Sequence, residues 1–126
     1  MKTLEQLRAE FAYNKIEEVK GKQFESDYAR YVKNAPAMIL TNGLGSTLAF
    51  YLSKSKKKDE NNAYNILYKH INEWLEKRGF CKGDAIEWII NTDSMKVFQA
   101  TQEILALLNW MKKFAKAMLE EDEHEV

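Results

Sequence analysis

Between Ile104 and Phe114 the chain places Ile104, Leu105, Leu107, Leu108, Trp110, Met111 and Phe114 within eleven positions. At helical spacing these side chains wrap more than half a circumference, and a helix apolar on that scale needs neighbours on several sides. The pattern predicts a long helix from about Ser94 to Leu119 at the centre of a helical bundle. Its remaining polar strip holds Asn109, Lys112, Lys113 and Lys116.

The rest of the chain reads as the enclosing helices. One proline and five glycines in 126 residues leave little material for β-hairpins. Leu4, Leu7, Phe11, Ile16 and Val19 recur near a helical period, Thr3 with Gln6 forms a capping box, and Gly21 stands at the far end. A second helix is expected from about Phe24, with Phe24, Tyr28, Tyr31 and Val32 on one side. It should break or kink around Asn34-Ala35-Pro36, since proline disfavours helical geometry in the residue before it.

From Pro36 to Ser53 two signals conflict. Asn42-Gly43 followed by Gly45 reads as a turn, whereas Leu40, Leu44, Leu48 and Leu52 repeat every four residues. The leucine repeat favours one continuous helix, at about 1 kcal/mol of propensity cost per glycine, offset by close helix approach at Gly43 and Gly45. Ser53–Glu60 is expected to be a mobile polar loop. A fourth helix is expected from Asn61 or Asn62, burying Ile66, Leu67, Ile71, Trp74 and Leu75 and stopping at Gly79. Asp84 caps a short helix to Ile89 or Ile90, and Asn91-Thr92-Asp93-Ser94 separates it from the last. No alternating, strand-like run and no repeat occurs. The fold class expected is all-α, a compact multi-helix bundle with a long central C-terminal helix. Residues 1–119 form a single domain and 120–126 an acidic, disordered tail.

With 45% apolar and 30% charged residues the profile is globular. Glu5, Arg8 and Glu10 interrupt the N-terminal segment, so a secretory signal is not expected, and no run reaches the ~18–20 apolar residues of a membrane helix. The lone Cys81 cannot make an internal disulfide, which suits a reducing, cytoplasmic setting.

Catalytic patterns are missing from the sequence. Gly43-x-Gly45 lacks the Gly-Lys and the preceding strand of a phosphate loop, and neither His-Glu-x-x-His nor Cys-x-x-Cys occurs. His124 lies in the acidic tail, and His70 beside Leu67, Ile71 and Trp74 reads as a packed ring. Lys82 and Arg78 flank Cys81 and would lower its pKa, yet without a histidine partner an inert thiol is the simpler reading. Glu17-Glu18 and Asp59-Glu60 are adjacent pairs, which point apart on a helix. An enzyme is therefore not expected, and neither a cofactor nor a metal is called for.

Charge carries the remaining information. Formal net charge is zero, but five acids and no Lys or Arg lie in 120–126, leaving the body with 19 basic and 14 acidic residues. Between Lys20 and Lys58 eight bases face two acids. This asymmetry suits a polyanionic partner, with the tail screening or competing, and it equally suits a solvated surface. Lys54, Lys56, Lys57 and Lys58 fall in the polar loop, and Lys112, Lys113 and Lys116 on one sector of the last helix. Any exposed member of Tyr13, Tyr28, Tyr31, Tyr51, Tyr64 and Tyr68 would stack on bases; otherwise they pack in the core.

Two segments in order sharpen the reading. Tyr28-Ala29-Arg30-Tyr31-Val32-Lys33 leads through Pro36 to Ile39-Leu40-Thr41-Asn42-Gly43-Leu44-Gly45-Ser46-Thr47-Leu48-Ala49-Phe50. Thr101 to Ala115 follows, with Ala63-Tyr64 and His70 to Leu75 between. This order resembles the small subunit of the type III-B CRISPR RNA-guided effector, the Cmr complex, from the first helix to about Ala117. The resemblance implies an all-α, non-catalytic protein that stacks in copies along the effector backbone, beside other Cmr subunits, helping to hold crRNA and target RNA in antiviral defence. Under it Arg30, Lys33, Lys54, Lys112, Lys113 and Lys116 are the candidate RNA-binding residues. Lysines suit guide-independent phosphate contact, whereas base readout favours bidentate side chains. The alternative is a helical adaptor that binds only protein and uses its lysines for solubility.

Overall fold

Side chains at four helix starts satisfy the first free amides, and these caps divide the chain as its residue types predict. In the computed structural model, which describes residues 1–55 and 60–121, Thr3 and Gln6 close a reciprocal capping box at the head of α1 (Leu4–Val19). The side chains of Asn62, Asp84 and Asp93 cap α4 (Ala63–Lys77), α5 (Ala85–Asn91) and α6 (Ser94–Met118) in the same manner. Between α1 and α4 lie α2 (Glu25–Asn42) and α3 (Leu44–Lys54). The described residues contain six helices and no strand. Lys56, Lys57, Lys58 and Asp59, expected in a polar loop, and residues 122–126, expected in a disordered tail, lie outside them.

Helix α6 packs against α1, α2 and α4. Ile104, Leu107, Leu108 and Met111 are wholly buried along it, and Leu105, Trp110 and Phe114 are half-buried at its margins. Each fully buried large aliphatic side chain contributes roughly 1.5–3 kcal/mol, so this rod holds the bundle together with Leu67, Ile71 and Leu75 of α4.

The segment around Pro36 and Gly43 departs from expectation twice. Of the break or kink expected at Asn34-Ala35-Pro36, the break does not occur: α2 continues through Pro36 to Asn42. The proline removes one internal hydrogen bond and strains the preceding turn, a cost of about 3 kcal/mol. Burial of Val32, Ala35 and Ile39 on the same helix, which packs on α4 and α6, offsets it. The single helix expected over Pro36–Ser53 is two helices instead. Gly43 adopts φ 91° and ψ 159°, a region essentially confined to glycine, and it ends α2 and begins α3. Its N–H donates to the Ile39 carbonyl at 2.8 Å, and its own carbonyl accepts from the Thr47 amide and hydroxyl at 3.1 and 2.9 Å. The turn chemistry of Asn42-Gly43 prevails over the leucine repeat. Leu44 and Leu48 are buried, but Leu40 remains 74% and Leu52 40% exposed. Close approach holds at Gly45 alone, where an added Cβ would lie 3.2 Å from the Ile89 side chain across the α3–α5 contact.

A buried ionic cluster ties α1 to α6 and α4. Arg8 donates to both Glu103 carboxylate oxygens at 2.7 and 2.8 Å, and the Trp74 indole donates to the same carboxylate at 3.1 Å. Burial alone would raise the Glu103 carboxyl; the hydrogen bonds from Arg8 and Trp74 hold it below the usual carboxylate range. His70 is buried with Nδ1 2.5 Å from the Tyr28 hydroxyl. Burial, with Lys15 nearby, pushes its pKa down to about 3, so the ring is neutral.

Candidate nucleic-acid interface

Helices α2 and α6 run together over the small side chains of Ala29 and Ala115, both buried. Four residues beyond Ala29, one helical turn on, Lys33 stands on the same face of α2. Lys112 and Lys116 share a face of α6 for the same reason. The three lysines, with Ala29, Ala115, Leu119 and Glu121, line an open groove of about 590 Å³. All three are exposed, and none has an ion-pair partner among the described residues. Three like charges around a shallow apolar floor suit an anionic ligand. Glu121 is the opposing charge in the groove.

The other three predicted cations lie elsewhere. Lys113 does not share the groove with Lys112 and Lys116; its ammonium sits 5.9 Å from the Trp110 ring centroid. Adjacent positions on a helix diverge by about 100°, which separates 113 from 112 despite the single sector expected for them. Arg30 donates to Asp27 at 2.8 Å and lies 5.3 Å from the Tyr31 ring centroid. Lys54 lies 5.7 Å from the Phe50 centroid. Arg30 and Lys54 thus flank an aromatic cluster on α2, α3 and α4, in which Tyr31 and Tyr64 stack at 3.8 Å and 13°. Phe50 meets Tyr64 edge-on at 5.7 Å.

Most tyrosines pack inward. Tyr28, Tyr51 and Tyr68 are buried, Tyr31 and Tyr64 half-buried, and Tyr13 is exposed with its edge on Phe114 at 5.5 Å. Burial and the hydrogen bond to Tyr64 push the Tyr31 phenol up to about 12, so it carries no charge near neutrality. The Cys81 thiol is buried, and burial together with Glu76 and Asp84 raises its pKa, opposite to activation by Lys82 and Arg78. Among the described residues no three His, Cys, Asp or Glu side chains gather as metal ligands, and no helix is long and apolar enough to cross a membrane.

Sequence reasoning did not single out the groove floor or Glu121. Ala29 and Ala115 carry a usable signal, as small residues one turn from a lysine, but which helices they bring together depends on the packing. A further feature is apolar. Ile90 at the end of α5, with Met95 and Phe98 at the start of α6, are 74%, 62% and 59% exposed.

Fold and surface together define a small all-α bundle protein with a lysine groove between two helices and an uncovered apolar corner. The chain belongs to the Cas_Cmr5 family of CRISPR-associated proteins, whose family model matches residues 4–118. It is 27% identical to the CRISPR system Cmr subunit Cmr5 of Thermus thermophilus, over 96% of this chain and all of that one. To the Cmr subunit Cmr5 of Thermotoga maritima it is 30% identical, over 99% of this chain and 92% of the other. The crystal structure of a CRISPR-associated Cmr5 family protein from Thermus thermophilus superposes with a TM-score of 0.78 at 26% identity, over 95% of this chain and 100% of that chain.

Proposed function

We propose that this chain is a non-catalytic structural subunit of a type III-B CRISPR (Cmr) ribonucleoprotein effector in the cytoplasm. There it stacks along the backbone beside other subunits and copies of itself, contacting crRNA and target RNA phosphates without reading sequence. The observation that carries this reading is the convergence of Lys33 from α2 with Lys112 and Lys116 from α6 on one groove. Ammonium groups meet phosphates as point charges and do not discriminate bases, as a subunit serving any guide requires. Arg30 and Lys54 at the separate aromatic cluster, and Lys113 over Trp110, are further candidate contacts outside the groove. A single near-neutral chain binds RNA weakly, and copies fixed on a common scaffold add their contacts through effective concentration.

The test is a salt titration of RNA binding by the assembled effector. Phosphate contact lowers log K with log salt by about 0.7 per neutralised charge on single-stranded RNA. Changing Lys33, Lys112 and Lys116 to Glu together is expected to weaken binding and make that slope shallower by about 2. Unchanged affinity and slope would remove the groove from RNA contact. The exposed Ile90, Met95 and Phe98 favour a second reading, a helical adaptor that binds only protein, and that reading gains if the lysines prove silent.

A further inference from the structure

Around the surface of α2 from the lysine groove, Arg30, Tyr31, Asn34, Phe50, Tyr51 and Tyr64 are among the residues that line a hollow of about 280 Å³. We propose that this hollow is a nucleobase pocket, which takes one unpaired base of a single-stranded RNA held by the lysine groove. The inference rests on the phosphate-binding reading and adds to it a base-stacking site.

Size and lining select the ligand class. The volume falls just below the range of pockets that enclose drug-sized ligands, so it suits one planar ring system. Its walls are aromatic: the Tyr31–Tyr64 pair is already a parallel stack, and Phe50 stands edge-on to Tyr64. A base adds to such a column because every base has a π-face, whatever its identity. Asn34 is exposed at the mouth and offers both an amide donor and a carbonyl acceptor.

Charge separates a nucleotide from a protein side chain. Arg30, paired with Asp27 at 2.8 Å, is held over Tyr31, and Lys54, outside the hollow, lies over Phe50, which leaves Lys54 as the cation at its edge. That arrangement complements a flat apolar base flanked by phosphates. An aliphatic side chain gains nothing from Lys54 at the edge, whereas a phosphate beside the base does. Continuity supports the same ligand: Arg30 and Lys33 are three residues apart on α2, hence neighbours on its surface. A strand whose phosphates lie along Lys33, Lys112 and Lys116 therefore reaches the pocket without leaving α2.

The experiment uses the purified full chain at low salt and a short oligouridine carrying a single internal 2-aminopurine, beside the same strand abasic at that position. Binding is followed by 2-aminopurine fluorescence and by backbone amide shifts. Stacking predicts severalfold quenching, shifts at Tyr31, Asn34 and Tyr64, and roughly tenfold weaker binding of the abasic strand. Tyr64→Leu should abolish the quenching while the shifts at Lys33, Lys112 and Lys116 persist. Should that variant fail to fold, the exposed Asn34→Ala should reduce the quenching in an intact bundle. Equal binding of both strands with unchanged fluorescence overturns the base pocket and leaves the phosphate reading standing. Absence of binding by either strand to the free chain overturns the base pocket, and only its absence from the assembled effector as well overturns the phosphate reading. Pocket shifts that arise only on adding partner subunits would assign the hollow to a protein side chain and overturn the proposal.

Discussion

Two ways of handling charge divide this molecule. Where α1, α4 and α6 meet, the charges are opposite, enclosed and hydrogen-bonded: Arg8 grips both oxygens of Glu103, and Trp74 takes a further lone pair. Along the α2–α6 groove three exposed lysines have no ion-pair partner among the described residues, and Glu121 is the one opposing charge in the lining. The first arrangement has no capacity left for a ligand, because its donors and acceptors are satisfied within the fold. The second gains nothing for the fold, because like charges repel, and its cations remain available to an outside anion. A pairing census thus separates scaffold from surface where residue type cannot.

The comparison is broken most severely at its interior end. Arg8→Ala strands a carboxylate that is nearly enclosed, and the expected loss is about 3 kcal/mol in urea unfolding. A loss under about 1 kcal/mol would mean that water already shares Glu103.

A pH series sharpens the same contrast at His70. In the folded chain the ring stays neutral down to about pH 3, whereas in the unfolded chain it takes up a proton near its ordinary value. Between those values the unfolded state binds more protons. Stability is therefore complete above about pH 6.5 and falls as pH drops toward 3, by up to about 1.4 kcal/mol per pH unit. His70→Gln should flatten this dependence in urea titrations between pH 4 and 7, and an unaltered slope would assign it to the carboxylates.

Gly43 supplies an uncharged control. Gly43→Ala forces a Cβ into the conformation at φ 91° and should cost about 1–3 kcal/mol in thermal or urea unfolding, although nothing lies within 4 Å of the added atom. A neutral outcome would show that the α2–α3 junction relaxes into a non-glycine turn.

The smallest effect on stability belongs to the groove. Lys33→Glu, Lys112→Glu and Lys116→Glu, each alone, should shift stability by no more than about 0.5 kcal/mol. Polyanion binding, read by heparin-column retention of the folded variants, should weaken with each. A groove variant that unfolds the chain would dissolve the distinction between the two regions.

The comparison also marks what a reader of the sequence meets and misses. Lys33, Lys112 and Lys116 are among the predicted cations, but only the packing of α2 on α6 makes them one group. Lys113, beside Lys112 in sequence, turns to Trp110 instead. Glu103 gave no sign of burial, since its partner Arg8 lies 95 residues away. The four-residue leucine repeat over Leu40–Leu52 misled because periodicity records which residues share a face, not whether the backbone between them is continuous.

By itself the sequence determined the elements whose causes are local. Thr3, Asn62, Asp84 and Asp93 each cap through an amide three residues on, and Ile104 to Phe114 are apolar enough to require enclosure whatever surrounds them. Tertiary structure alone decided that α2 runs through Pro36, that the chain turns at Gly43, and which cations share a surface. Those outcomes depend on free energies of burial and pairing between residues far apart along the chain, and such terms exist only once the helices have met.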